Sequence, residues 1–279
     1  MMKDQRFIVE LIDWIEKNIE QPLHVDRVAE RAGYSKWHLM RIFKAETRYA
    51  LAEYIRLRKL SHAAIDIWLT RRRIGDIADK YNFGSQQTFC RLFKRHFKVS
   101  PVTYRKSVIW TPYGILSPLN IEIDEQFHVW SEHYSGSRLY GNIHQYVLNT
   151  ENMNAGINMS IHRAINSHMY SRGEKPREIY GIYDFGESLS NNIHGDISYT
   201  VLIPDDKNNV GNHLLLKGGT YIRFNKKGVM TELKGVFPDV FHTLFPKRDV
   251  HCRGRLFIEH LNFDTATGLV DCNYYIPSV

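Results

Sequence analysis

The feature that most limits what this chain can fold into is an internal repeat. Residues 35–47 read SKWHLMRIFKAET and residues 85–97 read SQQTFCRLFKRHF. With one extra residue in the second turn, Val28-Ala29 matches Ile77-Ala78, Tyr34 matches Phe83 and Ser35 matches Ser85. The match continues with Leu39 and Phe89, Arg41 and Arg91, Phe43 and Phe93, Lys44 and Lys94, and Tyr54 and Tyr104. Each copy has a short apolar segment, a turn containing glycine, and a serine placed to cap a second helix, which is the outline of a helix-turn-helix. Ahead of the first copy, Phe7, Ile8, Leu11, Ile12, Ile15 and Ile19 share one helical face over 6–19, ending before Pro22. Between the copies, Leu51, Tyr54, Ile55, Leu57, Leu60, Ala64, Ile65 and Trp68 predict a connecting helix over 51–69. At about 1.5 Å per residue that helix spans roughly 28 Å. Successive major-groove faces on one side of DNA are about 34 Å apart.

Helical periodicity divides each second helix into two faces. Leu39, Ile42 and Phe43 in the first copy, and Phe89, Leu92, Phe93 and Phe97 in the second, form the stripe expected to be buried. The opposite face differs between the copies. It carries Trp37, Met40, Arg41 and Lys44 in one, and Gln86, Gln87, Cys90, Arg91 and Lys94 in the other. Gln can pair with the N6/N7 edge of adenine, Arg with guanine O6 and N7, and an exposed Trp can pack on thymine methyls. Phosphate contact alone needs only positive charge, so Gln-Gln beside Arg points to base reading as well. For Trp37, partial burial under the next helix is the competing expectation.

Charge supports a polyanionic partner. Residues 1–107 hold 22 Lys and Arg against 12 Asp and Glu, a net +10, whereas the whole chain of 279 residues carries only +7, leaving −3 for residues 108–279. A basic amphipathic segment on a membrane surface is the alternative use of such charge. No stretch approaches a membrane span, and Cys90, Cys252 and Cys272 lack the C-x-x-C spacing of a zinc or redox site. Reduced thiols and a cytoplasmic location are expected. The histidines beyond residue 107 show no compact ligand spacing, so neither a metal nor a cofactor is expected.

The segments AGYSKWHLMRIFK and FGSQQTFCRLFKRHFKVSPVTYRKS, with Ser100-Pro101 followed by Tyr104-Arg105, resemble the DNA-binding domain of the AraC/XylS family of bacterial transcription regulators. The resemblance covers residues 6–107, and the SKWHL and SQQTF wording is similar to the MarA, SoxS and Rob subgroup. It implies a monomer that inserts two recognition helices into successive major grooves of double-stranded promoter DNA. Carried over by position, Trp37, Met40 and Arg41 would face bases from the first helix, and Gln86, Gln87, Cys90 and Arg91 from the second. Met40 and Cys90 depart from the subgroup, which commonly has Gln and Thr there. Phosphate contacts are expected from Lys36, His38, Lys44, Thr88, Lys94 and the Arg71-Arg72-Arg73 cluster. Because the connecting helix is shorter than one DNA repeat, engagement of both helices is expected to bend the site.

After Ser107 the text changes. Trp110-Thr111-Pro112-Tyr113-Gly114 and Ser117-Pro118 read as a link, followed by short strand-like runs. These are Ile121, Ile123, Phe127 and Val129; Tyr199, Val201 and Ile203; and Tyr221, Ile222 and Phe224, with a more helical stretch over 229–245. Tyr180-Gly181-Ile182, Leu216 to Tyr221, Ile258-Glu259 and the closing Cys272 to Pro277 resemble the GyrI-like family of small-molecule-binding domains. That resemblance implies a mixed sheet with helices and an apolar cleft for a small-molecule effector, a cation in several members. Asn273 stands where cation-binding members place a buried carboxylate, so Glu259 or Asp271 would have to supply the counter-charge, with Tyr275 offering cation–π contact.

The expected fold is therefore multidomain. An all-α N-terminal domain (1–107) carries two helix-turn-helix motifs joined by a long helix, a linker covers 108–120, and an α+β GyrI-like domain covers 121–279. The expected function is a sequence-specific transcription regulator, an activator working with RNA polymerase. A catalytic or ligand-sequestering C-terminal domain tethered to DNA is the alternative. No G-x-S-x-G, H-E-x-x-H or phosphate-loop motif is present, and no enzyme activity is expected.

Overall fold

The computed structural model describes residues 2–119, 129–149, 153–185, 196–204, 213–230, 240–264 and 266–279. Seven helices come first: α1 (Met2–Lys17), α2 (Val25–Ala32), α3 (Lys36–Thr47), α4 (Leu51–Leu69), α5 (Ile74–Lys80), α6 (Gln86–Phe97) and α7 (Pro101–Lys106). The repeat is preserved in its stop and start signals. The Ser35 hydroxyl accepts from His38 N and the Ser85 hydroxyl from Thr88 N, so both 12-residue helices have the same N-cap. Both end on a left-handed residue, Arg48 at φ 68° and Lys98 at φ 67°, two residues before the cap position of the next helix.

The α4 helix has both its faces covered. Tyr54, Leu60, Ala64 and Ile67 join Ile12, Phe43 and Phe93 in a core shared by the helices. Ile65, Trp68 and Leu69 belong instead to the core of the sheet. Coverage from two sides explains why its last two turns, Ala63 to Leu69, are apolar but for Asp66. The Trp68 ring packs 5.9 Å from Phe241, 6.2 Å from Trp110 and 6.3 Å from Phe257. His62 stacks on His242 with ring centroids 3.8 Å apart.

Inside the helical half lies an ionic network. Arg58, 1% exposed, donates to both carboxylate oxygens of Glu16 at 2.8 and 2.7 Å and to the Leu116 carbonyl, while Tyr54 Oη donates to Glu16 at 2.9 Å. Burial alone would raise the Glu16 pKa, but hydrogen bonds from His62 and Arg58, and their charges, hold it down at about 2.

Segment 108–119 is attached to both halves. Strand β1 (Ile109–Trp110) pairs with β8 (Cys252–Arg253), Trp110 is buried, Leu116 N donates to Ser61 Oγ at 2.9 Å, and the Gly114 carbonyl lies 2.7 Å from His96 Nε2.

The remaining strands are β2 (Val129–Tyr134), β3 (Ser137–Asn149), β4 (Glu178–Asp184), β5 (Asp196–Pro204), β6 (His213–Leu216), β7 (Gly219–Gly228), β9 (Leu256–Phe263) and β10 (Val270–Pro277). They form an antiparallel sheet in the order β2-β7-β10-β9-β4-β5-β3-β6. The outer strands at opposite ends are joined by two tight turns, β2 to β3 and β6 to β7, and these turns abut. A Cβ at Gly136 would lie 2.8 Å from Gly218 N, so the turns approach closely only because both positions are glycine. The sheet is thereby curled. Its inner face holds Tyr134, Tyr180, Ile182, Leu216, Tyr221, Ile258 and Tyr275. Its other face packs on α8 (Met153–Arg172) and on a π-helical turn (Val240–Leu244) that runs into α9 (Phe245–Arg248).

Three expectations are modified. The sheet implied to be mixed is antiparallel in every pairing among the described residues. The strand expected from Ile121, Ile123 and Phe127 lies outside the described residues, and β2 begins at Val129. The helical stretch expected over 229–245 is not helical at Val229 and Met230, Leu233 and Val236 lie outside the described residues, and helix runs from Val240 to Arg248. Val229 and Met230 directly follow Gly228, the last paired residue of β7, and lie in neither strand nor helix.

Candidate DNA-binding surface

The outward residues of α3 and α6 are where the repeat places them. Trp37 is 70% exposed, so the alternative of burial under the next helix is not realised, and the Arg41 guanidinium lies 5.7 Å from its ring centroid. That cation–π contact holds two candidate base-reading groups side by side. Met40 is 38% exposed next to them. On α6, Gln86, Gln87 and Arg91 are exposed, while Cys90 is half-buried against the helical core. The Gln86 carboxamide lies over the first turn of α5, since a Cβ at Gly75 would come 3.0 Å from its Oε1. The beginnings of α5 and α6 therefore lie together.

The expected phosphate contacts divide by exposure. Lys44, Lys94, Arg71 and Arg73 are exposed. Lys36 is exposed as well but forms an ion pair with Asp26 at 2.9 Å. The half-buried His38 ring packs on Tyr34, and the Thr88 hydroxyl accepts from Ser85 at 3.0 Å. Arg72 departs from expectation: it is buried, and its carbonyl accepts from Arg105, because the chain turns inward where α4 ends. It is part of the structure under the surface and not of the surface itself.

The four residues expected to form an effector site do not come together. Tyr275 lies on the inner face of the curled sheet, in a cavity of about 70 Å³ with Tyr134, Tyr180, Tyr221, Leu216, Ile258 and His260. Asn273 points to that same face, and its Oδ1 accepts from Arg223 at 2.9 and 3.2 Å. The Arg223 guanidinium also donates to Glu132 and lies 4.8 Å from the Trp130 centroid and 5.5 Å from that of Tyr275. A cation of the chain itself thus lies beside the amide. Asp271 is only partly buried, 3.5 Å from Asn225.

Glu259 faces the other way. It is buried on the helix side, accepts from Tyr183 at 2.6 Å and also from Tyr199, and has no cationic partner among the described residues. Burial pushes its pKa up, the two hydroxyls pull it back, and the balance is about 6. Gly181 makes room for it, because a Cβ there would collide with Glu259 Oε1 and the Tyr199 hydroxyl. The alternation of β9 puts Glu259 and His260 on opposite faces, so Glu259 cannot share a cavity with Tyr275. Sequence alone missed Trp68 as the joint between the halves and Arg223 as the partner of Asn273. Their only sequence signal is an aromatic on a second helical face and a basic residue at inward strand register.

A basic helical unit that presents capped helices with exposed Arg, Gln and Trp is a helix-turn-helix DNA-binding regulator. A model of this class, described as a helix-turn-helix domain, matches residues 28–107, from α2 to the end of α7. The chain is 33% identical over 288 residues to the transcriptional regulator Rob of Salmonella typhimurium, covering 98% of this chain and 99% of that one. It is 34% identical over 251 residues to the right origin-binding protein of Escherichia coli K12, covering 87% of this chain and 86% of the relative. The multiple antibiotic resistance protein MarA of Escherichia coli K12 is 46% identical over 110 residues, 39% of this chain and 87% of MarA. The chain belongs to the AraC/XylS family of DNA-binding transcription regulators, in the MarA, SoxS and Rob subgroup, and is Rob-like. Among the described residues no helix is long and apolar enough to cross a membrane.

Proposed function

We propose that α2–α3 and α5–α6 are two helix-turn-helix units that read two unequal halves of one asymmetric DNA site. The observation that carries this reading is the pairing of identical caps and lengths with different outer faces. Two copies selected only to fold would not need Trp37, Met40 and Arg41 on one and Gln86, Gln87 and Arg91 on the other. In this reading Arg41 and Arg91 contact guanine, Gln86 and Gln87 contact adenine, and Trp37 and Met40 pack on thymine methyls, with Cys90 at the edge. Lys36, His38, Lys44, Thr88, Lys94, Arg71 and Arg73 lie along the phosphates.

The 19 residues of α4 span roughly 28 Å, so a monomer that engages both grooves bends its site, at a cost of a few kcal/mol. Residues 1–107 act as the reading domain, 108–120 as the joint and 121–279 as a regulatory domain. The protein acts as an activator with RNA polymerase, and the tyrosine-lined cavity at Tyr275 is where a small effector would enter the regulatory domain.

Selection of bound genomic fragments by the wild type, Arg91→Ala and Trp37→Ala tests this. Arg91→Ala is expected to relax one half-site, and Trp37→Ala the other, each by about 1–3 kcal/mol of discrimination. Recovery of the same sequences with equal strength by all three would remove the assignment.

A further inference from the structure

A second charged site lies between the halves. The ends of α4 and α7 face the turn between β8 and β9 across an open cleft of about 600 Å³, lined by Arg71, Arg105, Lys106, Ser107, Val108, Gly254 and Arg255. Four of these seven carry positive charge and none carries negative charge. Arg71, Arg105 and Lys106 come from the helical half, and Arg255 from the sheet half.

The Arg105 and Arg255 side chains are positioned by neutral groups. Arg105 donates to the carbonyls of Ile67 and Arg72, and Arg255 donates to the carbonyl of Arg105 with its guanidinium 5.5 Å from the Trp68 centroid. Carbonyls and an aromatic face fix the forks but leave their formal charge intact. Lys106 is exposed and has no hydrogen-bond or ion-pair partner among the described residues. Gly254 N donates to the Val108 carbonyl at 2.9 Å, which holds the sheet's turn against the rim of the cleft. The cluster is costly to keep charged: burial lowers the pKa of Arg105, and burial followed by the charges of Arg105 and Arg71 lowers that of Arg255. An anion with several oxygens relieves that repulsion, and guanidinium forks match phosphate geometry.

We propose that this cleft is a binding site for a phosphate group, held jointly by the helical half through Arg105 and Lys106 and by the sheet half through Arg255. The phosphate comes either from DNA backbone running past the second reading helix or from a free phosphorylated molecule. Bound phosphate ties the sheet half to α4 and α7, so its occupancy sets how firmly the two halves are joined. The site uses none of the outer residues of α3 and α6, so it stands or falls separately from the base-reading assignment.

The full chain, titrated with inorganic pyrophosphate and followed by its unfolding temperature, is the test, with sodium chloride at matched ionic strength as reference. A saturable rise over chloride is expected for the wild type. Lys106→Met is expected to weaken it at least tenfold. Arg255→Met keeps an apolar stem on Trp68 and is expected to abolish it, whereas Arg91→Ala leaves it unchanged. DNA fragments that end at the second half-site or continue beyond it separate the sources. If the phosphate is DNA's, pyrophosphate competes with the longer fragment and Lys106→Met lowers the slope of log K against log salt by about 0.9 on that fragment alone. If it is a free molecule's, the slopes stay equal while Lys106→Met still loses pyrophosphate. No saturable effect beyond chloride together with equal slopes, or binding that survives both Met variants, overturns the proposal.

Discussion

The helical half holds a partly buried carboxylate and the sheet half a buried one, and they treat it in opposite ways. Glu16 meets the guanidinium of Arg58, the ring of His62 and the hydroxyl of Tyr54, and it stays ionised down to a pKa of about 2. Among the described residues Glu259 meets only the hydroxyls of Tyr183 and Tyr199, and its pKa rises to about 6. A buried charge is tolerable where a cation and hydrogen bonds complete it, and is given up at a higher pH where only neutral donors are present. The helical half therefore fixes α1 to α4 by an ion pair, whereas the sheet half carries an acid near the point of neutralisation.

Glu16→Gln should break this contrast most severely, because it leaves Arg58 charged at 1% exposure with its acid gone. A loss of about 3–5 kcal/mol is expected from denaturant unfolding near neutral pH. In the wild type the depressed pKa makes this stabilisation complete above about pH 4.5, the unfolded value, and removes it as pH falls toward 2, a total of about 3 kcal/mol. If Glu16→Gln matched the wild type at pH 7, the ion pair would have no role in holding α1 on α4.

Glu259→Gln should move stability the other way. A raised folded pKa contributes stability that is full below about pH 4.5 and is lost as pH rises through about 6. That loss, roughly 2 kcal/mol by pH 7, should disappear in the variant. Unfolding curves between pH 4 and 7.5 are the check, and a variant with the wild-type slope would mean that Glu259 stays ionised throughout.

The smallest expected effect sharpens the comparison within the helical half. Ser35→Ala and Ser85→Ala each remove one N-cap and should cost about 1 kcal/mol. Since the capped helices are the same length and end alike, the two costs should agree within a few tenths. A clear inequality would show that the copies share a sequence pattern but carry different weight in folding.

The contrast between halves also decides how far each was legible in the sequence. In α3 and α6, residues a few positions apart determine cap, stripe and outer face, so Ser35, Phe43, Arg41 and their counterparts could be placed from local rules. In the sheet, the partners of Glu259 come from β4 and β5, 76 and 60 residues away, and the partner of Asn273 comes from β7, 50 residues away. Spacing along one strand says which face a residue takes only after the register is known. That is why Glu259 and Tyr275 could be grouped in one expected site although β9 and β10 turn them to opposite faces. Arg72 departs from its expected place for a similar reason: three consecutive arginines have one composition, but the inward turn after α4 buries only the middle one.

The sequence by itself determined the repeated helix pairs, their caps, their differing outer faces and the concentration of basic charge in the first 107 residues, because all of these follow from short-range spacing and composition. Only the tertiary structure decided that α4 belongs to two cores, that Trp68 and Trp110 join the halves, and that Arg255 meets Arg105 and Lys106 across a cleft. Those contacts connect segments as far apart as Trp68 and Phe257, 189 positions along the chain. Long-range packing selects among many locally equivalent chains, and no local pattern encodes which segments it brings together.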